Sequence, residues 1–259
     1  MSLLEMKNLK CGYGHRNILD GINLKIESGE FCALLGLNGS GKTTLLRTVT
    51  GIIPALDGNC TVDGKDILCM NEKSRARLVS YIPQRTSPVS GISVLEYVLL
   101  GANPWIKLFD SPKAGFTDKA LQITRRLSIF EMKDEDFSQL SEGQKQLAVF
   151  ARILLQDTPV MLMDEPDSAL DFVNRHKILE KIASQVHESG KCAVISIHDP
   201  DFALAYCDRI FIVDGGKILC DICVHNADRT LLETGLGKIY GKIRLLGEPG
   251  QYCMTKIRN

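Results

Sequence analysis

An α/β fold built on a mostly parallel sheet is what this sequence predicts, and three observations predict it. Short continuous apolar runs recur, as in Phe31-Cys32-Ala33-Leu34-Leu35 and Val160-Met161-Leu162-Met163. Runs with no polar face belong to strands covered on both sides. Stretches of helical period lie between such runs, at 143–156 through Leu147, Phe150, Ala151 and Leu154, and at about 172–188. Strand and helix therefore alternate along the chain, which places helices on the faces of a parallel sheet.

The remaining elements follow in order. Residues 3–9 and 22–27 alternate apolar and polar, which predicts an antiparallel N-terminal β subdomain. Residues 59–65 read as a hairpin around Asp63-Gly64, and Val79 to Gln84 as a short strand stopped by Pro83. Residues 92–101 and 118–130 read as helices, joined by a proline-punctuated irregular stretch from Asn103 to Pro112 that holds Trp105, either a core residue or an interface anchor. A strand at 192–197, a short helix near 201–206, a strand at 210–213 and a Gly215-Gly216 turn complete the alternation. The helical middle, about 86–156, interrupts it and reads as an inserted subdomain. The organisation expected is one domain over 1–230 and a solvated C-terminal extension over 231–259.

Composition narrows the function classes. The chain has 259 residues, 44% apolar and 24% charged, enough for one large domain with a core. Formal net charge is +0, so no basic excess points to nucleic acid or to an anionic membrane surface. The first residues lack the apolar segment of a signal peptide, and no run reaches the ~18 residues of a membrane span. Nine scattered cysteines read as reduced thiols, several of them core filler. Cys220-Asp221-Ile222-Cys223 is a C-x-x-C, placed just after a strand and without a second pair to complete a metal site.

The most informative stretch is Gly36-Leu37-Asn38-Gly39-Ser40-Gly41-Lys42-Thr43-Thr44. It fits G-x-x-x-x-G-K-[ST] between a buried strand and a helix start, the context that this phosphate-binding loop requires. Gly36, Gly39 and Gly41 let the backbone of Asn38, Ser40 and their neighbours curl around an anion, and the helix N-terminus of Thr43 and Thr44 adds partial positive charge. Lys42 carries a full charge to the β/γ-phosphates, and the Thr43 hydroxyl is a ligand for Mg²⁺. ATP and Mg²⁺ are thus the expected cofactors. The partner site is Asp164-Glu165 at the end of the apolar run 160–163. Two adjacent buried carboxylates are costly without a task. Beside a metal and a phosphate chain, one holds the cation and the other polarises a water.

At this point the chain resembles the ATP-binding cassette (ABC) ATPases. Leu140-Ser141-Glu142-Gly143-Gln144 is similar to their LSGGQ signature, and Glu165-Pro166 followed by Ser168-Ala169-Leu170-Asp171 to their D-loop. Gln84 after Tyr81-Ile82-Pro83 resembles the Q-loop glutamine, His198 the switch histidine, and Tyr13 the aromatic residue that stacks on adenine. The resemblance implies two copies paired head to tail around two ATP molecules. Ser141, Gly143 and Gln144 of one copy, with Asp171, would serve the nucleotide held by the other. Glu165 would be the general base and His198 would hold the γ-phosphate. Gln84 would join Thr43 and Asp164 at the metal and link it to the helical subdomain; Lys42 completes the catalytic set.

Two residues depart from the family pattern. Glu142 stands where a glycine is usual, and Asp167 where Thr or Ser is common. A lone cassette implies membrane-spanning permease subunits on separate chains, and so a place at the cytoplasmic face of the membrane. The segments 13–21 and 99–104 resemble the iron-siderophore, haem and cobalamin importer group, although Ala102 and Asn103 replace its usual pair. The alternatives are a soluble cassette ATPase, such as that of iron–sulfur cluster assembly, and an ABC importer for a different substrate. Gly143-Gln144-Lys145-Gln146 favours the transporter. The permease is expected to dock around Gln84, residues 87–97 and Trp105.

Overall fold

The computed structural model describes residues 2–84, 89–107, 114–167, 170–248 and 250–257. Its strands are β1 (Ser2–Tyr13), β2 (Arg16–Glu27), β3 (Phe31–Leu35), β4 (Asp57–Val62), β5 (Lys65–Asp66), β6 (Val79–Ile82), β7 (Val160–Asp164), β8 (Cys192–Ser196), β9 (Arg209–Asp214), β10 (Lys217–Cys223), β11 (Ile243–Leu246) and β12 (Cys253–Lys256). Its helices are α1 (Lys42–Val49), α2 (Glu72–Arg75), α3 (Val94–Leu99), α4 (Ala114–Arg126), α5 (Glu142–Gln156), α6 (Phe172–Ser189), α7 (Pro200–Tyr206) and α8 (Arg229–Tyr240).

Two sheets carry the molecule. One has the order β10-β9-β3-β8-β7-β6, with β9 through β6 parallel and β10 antiparallel at the edge. The other, β2-β1-β4-β5, is antiparallel and comes from the N-terminal region. The mostly parallel core sheet, the antiparallel N-terminal sheet and the helical insert all match the expectation from sequence.

The apolar runs sort their side chains by parity, as strand geometry demands. Phe31, Ala33 and Leu35 join Met161, Met163, Ala193 and Ile195 in a core shared with the helical insert and with α6 to α8. Cys32 and Leu34 join Val160, Leu162, Cys192 and Val194 in a second core, under α1 and the antiparallel sheet. Each strand is buried on both faces because each face meets a different layer. That is why these runs lack polar residues.

Several expectations need correction. α4 starts before residue 118 and stops at Arg126, because Ser128 takes a positive φ of 62° that ends the helical path. Trp105 is no core residue: it is 41% exposed, donating its indole N–H to the Gln156 carbonyl at 2.8 Å, with the Arg77 guanidinium 5.3 Å from its ring centre. Cys220 and Cys223 lie within β10, not after it. The 230/231 boundary falls inside α8, and 231–259 is not simply solvated. Leu232, Leu236, Ile243, Leu245 and Tyr252 are buried in the main core. Segment 108–113 of the irregular connection lies outside the described residues, as do Ser87 of the expected dock and Ser168-Ala169 of the D-loop.

Candidate nucleotide site

The site grows from the end of β3. The chain leaves Leu35, turns through Gly36 to Gly41, and enters α1 at Lys42. A side chain at Gly36 would meet the Val213 carbonyl at 2.4 Å, so only glycine fits where the loop crosses the top of the sheet. Gly41 caps α1 with φ 105° and offers no side chain to the first-turn N–H groups. Those donors face outward, and aligned peptide dipoles add to them. Lys42 is 5% exposed and folds back over the loop, donating to the Gly36 carbonyl at 2.7 Å and the Leu37 carbonyl at 3.3 Å. Burial lowers its pKa below the ordinary lysine value, and the nearby Glu165 and Asp164 charges push the other way.

The acids arrive from β7, two strands from β3 in the sheet. Asp164 is fully buried, and both its oxygens have partners. Oδ1 accepts from Ser196 Oγ at 2.6 Å and Thr43 Oγ1 at 3.1 Å; Oδ2 accepts from the Tyr81 hydroxyl at 3.4 Å. Burial, with Asp164 alongside, pushes the Tyr81 phenol up to about 12, so it stays a donor. Glu165 holds a positive φ of 48°, in the left-handed region that non-glycine residues seldom enter. Its N–H donates to the Ser196 carbonyl at 3.1 Å and hydroxyl at 3.0 Å. This turn swings the carboxylate out of the sheet. Oε1 lies 2.6 Å from His198 Nε2 and Oε2 accepts from Gln84 Nε2 at 2.5 Å.

These parts open onto a cleft of about 710 Å³. Tyr13, Asn38, Gly39, Ser40, Gly41, Lys42, Thr43, Thr44, Gln84, Glu165 and His198 all line it. Asp164 sits beneath, reached through Thr43, and Gly36 begins the loop. Ser141, Gly143, Gln144 and Asp171 are not among the lining residues. Ser141 caps α5 in a reciprocal capping box with Gln144. Asp171 caps α6 by accepting from the Asn174 N–H at 2.8 Å. Both departures from the family pattern have partners: Glu142 pairs with Lys145 at 2.9 Å and buried Asp167 with Arg175 at 3.3 Å.

Sequence reading missed four residues here. Arg16 and Ile18 also line the cleft, brought there because the β1–β2 turn hangs over the loop. Their closeness to Tyr13 in sequence was the available signal. Ser196 and Tyr81 hold Asp164, and no local pattern marks them. Their role follows from the strand order β8-β7-β6, which puts Ser196 directly opposite Asp164.

The arrangement fits ATP on its own atoms. Ser40 Oγ is buried without a protein partner, and α1 begins with uncapped donors. An anion at the loop satisfies both. A glycine-rich loop between strand and helix, with a buried acid beside its threonine, defines a P-loop nucleoside triphosphatase. The chain belongs to the ABC transporter family, whose profile matches residues 19–168. It is an ATP-binding cassette, an ATPase coupled to transport. An uncharacterised ABC transporter ATP-binding protein of Haemophilus influenzae is 35% identical, over 82% of this chain and 80% of its own. A probable iron chelatin transport ATP-binding protein of Helicobacter pylori is 34% identical, over 83% of this chain and 85% of its own. Among solved structures, an ABC transporter described as of metal-chelate type, in an inward-facing conformation, shares the fold. Its TM-score is 0.82 at 24% identity, over 98% of this chain and 96% of that one. Among the described residues, no helix is long and apolar enough to cross a membrane.

Proposed function

We propose that this chain is the ATPase subunit of an importer for an iron chelate, haem or cobalamin, working at the cytoplasmic face of a separate membrane permease. The observation that carries the ATPase part is the Glu165 carboxylate, turned into the phosphate cleft and held between His198 and Gln84. A strained backbone that aims a carboxylate beside the phosphate loop suits a general base. Glu165 takes the proton of the attacking water, and His198 steadies the γ-phosphate once nucleotide draws it away from Glu165. Lys42 shifts its ammonium from the loop carbonyls to the β/γ-phosphates. Tyr13 offers its ring to the adenine.

Thr43, Asp164 and Gln84 supply the oxygen donors that would hold Mg²⁺, a hard cation suited to hydroxyl, carboxylate and amide ligands. The ion, when bound, offsets phosphate charge. The signature end of α5 points elsewhere in the monomer, so Ser141, Gly143 and Gln144 are available to a second copy's nucleotide. Two copies then close head to tail, and hydrolysis reopens them. The cargo class rests on the resemblance of 13–21 and 99–104 and on the Helicobacter pylori relative.

The permease dock belongs to the exposed part of the Gln84–Trp105 surface. Tyr97, Val94 and Val98 are buried, and Glu96 is held in the α3 capping box, which leaves Ser90, Gly91, Leu100, Asn103 and Trp105 facing outward. Leu100→Asp should abolish uptake of radiolabelled iron chelate or haem while basal ATPase activity stays within about twofold, since exposed positions tolerate change. A strain lacking the chain that imports every iron chelate, haem and cobalamin normally would overturn the cargo class.

A further inference from the structure

The N-termini of α5 and α6 lie side by side: a Cβ added to Gly143 would meet Asn174 Nδ2 at 3.3 Å. The two residues that follow the Asp171 cap, Phe172 and Val173, are 71% and 56% exposed. A phenylalanine that bare is costly in water. It sits on the side of the molecule that the head-to-tail reading gives to a second copy.

Phe172 is also one edge of a groove of about 520 Å³. Its ring meets His176 edge-on at 4.4 Å and stands 6.2 Å from Phe202. The opposite wall is the C-terminal hairpin, through Tyr252 and Cys253. Two polar side chains of the groove, Asp201 and His176, are turned to partners within the chain. Asp201 accepts from the Met254 N–H at 2.6 Å and the Cys253 thiol at 3.3 Å, and His176 Nδ1 meets the Tyr206 hydroxyl at 2.6 Å. The groove presents the aromatic surface of Phe172, Phe202 and Tyr252, as the centres of protein interfaces do.

We infer that Phe172 and the hairpin groove form a second contact between two copies of this chain, closed when ATP draws them together. The inference rests on the head-to-tail reading above. Phe172 of each copy packs into the Phe202–Tyr252 groove of the other, a self-complementary arrangement that two-fold symmetry closes. The C-terminal hairpin, docked on the main core, thereby becomes a dimerisation element set beside the signature end.

The native thiol at Cys253 reports on this contact. Glu165→Gln protein, with and without ATP, is resolved by size-exclusion chromatography and treated with N-ethylmaleimide, and modification is followed by peptide mass spectrometry. Exposed Cys69 serves as the internal reference. ATP should slow alkylation of Cys253 at least about tenfold while Cys69 changes less than about twofold, as burial of an interface centre requires. Phe172→Glu in the same background should weaken dimerisation by about tenfold or more and leave monomer ATP affinity unchanged, whereas Phe172→Leu should dimerise nearly normally. A Glu165→Gln dimer whose Cys253 reacts as fast as in the monomer, or a Phe172→Glu protein that dimerises as well as its parent, overturns the inference alone. A Glu165→Gln protein that stays monomeric at saturating ATP overturns the head-to-tail reading and the inference with it.

Discussion

His198 Nε2 lies 2.6 Å from Glu165 Oε1, so the two residues that flank the phosphate cleft engage each other directly. The contact joins the end of β7 to the end of β8. It holds the carboxylate in the cleft while Gln84 takes its other oxygen at 2.5 Å. Nucleotide must compete for both partners, which ties occupancy of the cleft to the position of the Gln84 segment and of α7.

Glu165→Gln tests the base assignment. The amide can keep one of the two contacts but cannot accept a proton. Turnover should fall by about 10²–10⁴-fold with ATP affinity retained. Steady-state phosphate release and equilibrium nucleotide binding measure the two quantities, and turnover near wild type would remove Glu165 from the role.

Ser141→Arg separates the signature from the home cleft. Ser141 does not line the cleft of its own chain, so monomer ATP affinity should stay within about twofold. Hydrolysis should be lost under the proposal that the residue acts on the second copy's nucleotide. Lys42→Ala is the contrast, since it removes the ammonium proposed to meet the β/γ-phosphates within the chain. Equal loss of monomer affinity in the two variants would contradict the assignment across copies.

Ser196→Ala removes a hydroxyl that donates to Asp164 at 2.6 Å and accepts from the Glu165 N–H at 3.0 Å. Both partners are buried. The change should cost about 0.5–1.5 kcal/mol of stability, the net worth of a lost hydrogen bond, because Thr43 still serves Asp164 and the residue-196 carbonyl still serves the Glu165 N–H. Activity should fall as well, because both acids lose a support. Urea unfolding beside an ATPase assay gives both readouts; unchanged stability would show that the Thr43 and carbonyl contacts suffice without the hydroxyl.

Asp208 gives a pH signature. Burial raises its pKa, but the Phe31 N–H and the His187 and His225 side chains outweigh that, and the net shift is downward. The Phe31 bond is 2.7 Å and anchors the strand that feeds the phosphate loop. With the folded pKa below the unfolded one, the stabilisation is present above the ordinary aspartate range and is lost as pH falls through the lowered value. Asp208→Asn should therefore be less stable than wild type by about 1–2 kcal/mol at pH 7. The gap should narrow below about pH 4, where the ordinary aspartate protonates. A gap that does not vary with pH would show that the carboxylate charge plays no part.

The sequence by itself determined the layers and the chemistry of the cleft. Runs such as Phe31–Leu35 read as strands covered on both faces because five apolar residues between Gly29 and Gly36 are too few for a buried helix. The phosphate loop was legible because its geometry is local: glycine freedom, a helix start and a lysine lie within nine residues. Tertiary structure decided what depends on strand order. Ser196 faces Asp164 only because β8 pairs with β7, and Tyr81 reaches it only because β6 lies on the other side. It also decided the fate of the C-terminal residues, whose weak periodicity hid the core contacts of Leu232, Leu236 and Tyr252. It decided likewise between the core and the surface for Trp105, which the sequence left open. Sequence states how apolar a side chain is, whereas its burial depends on which distant elements arrive to cover it.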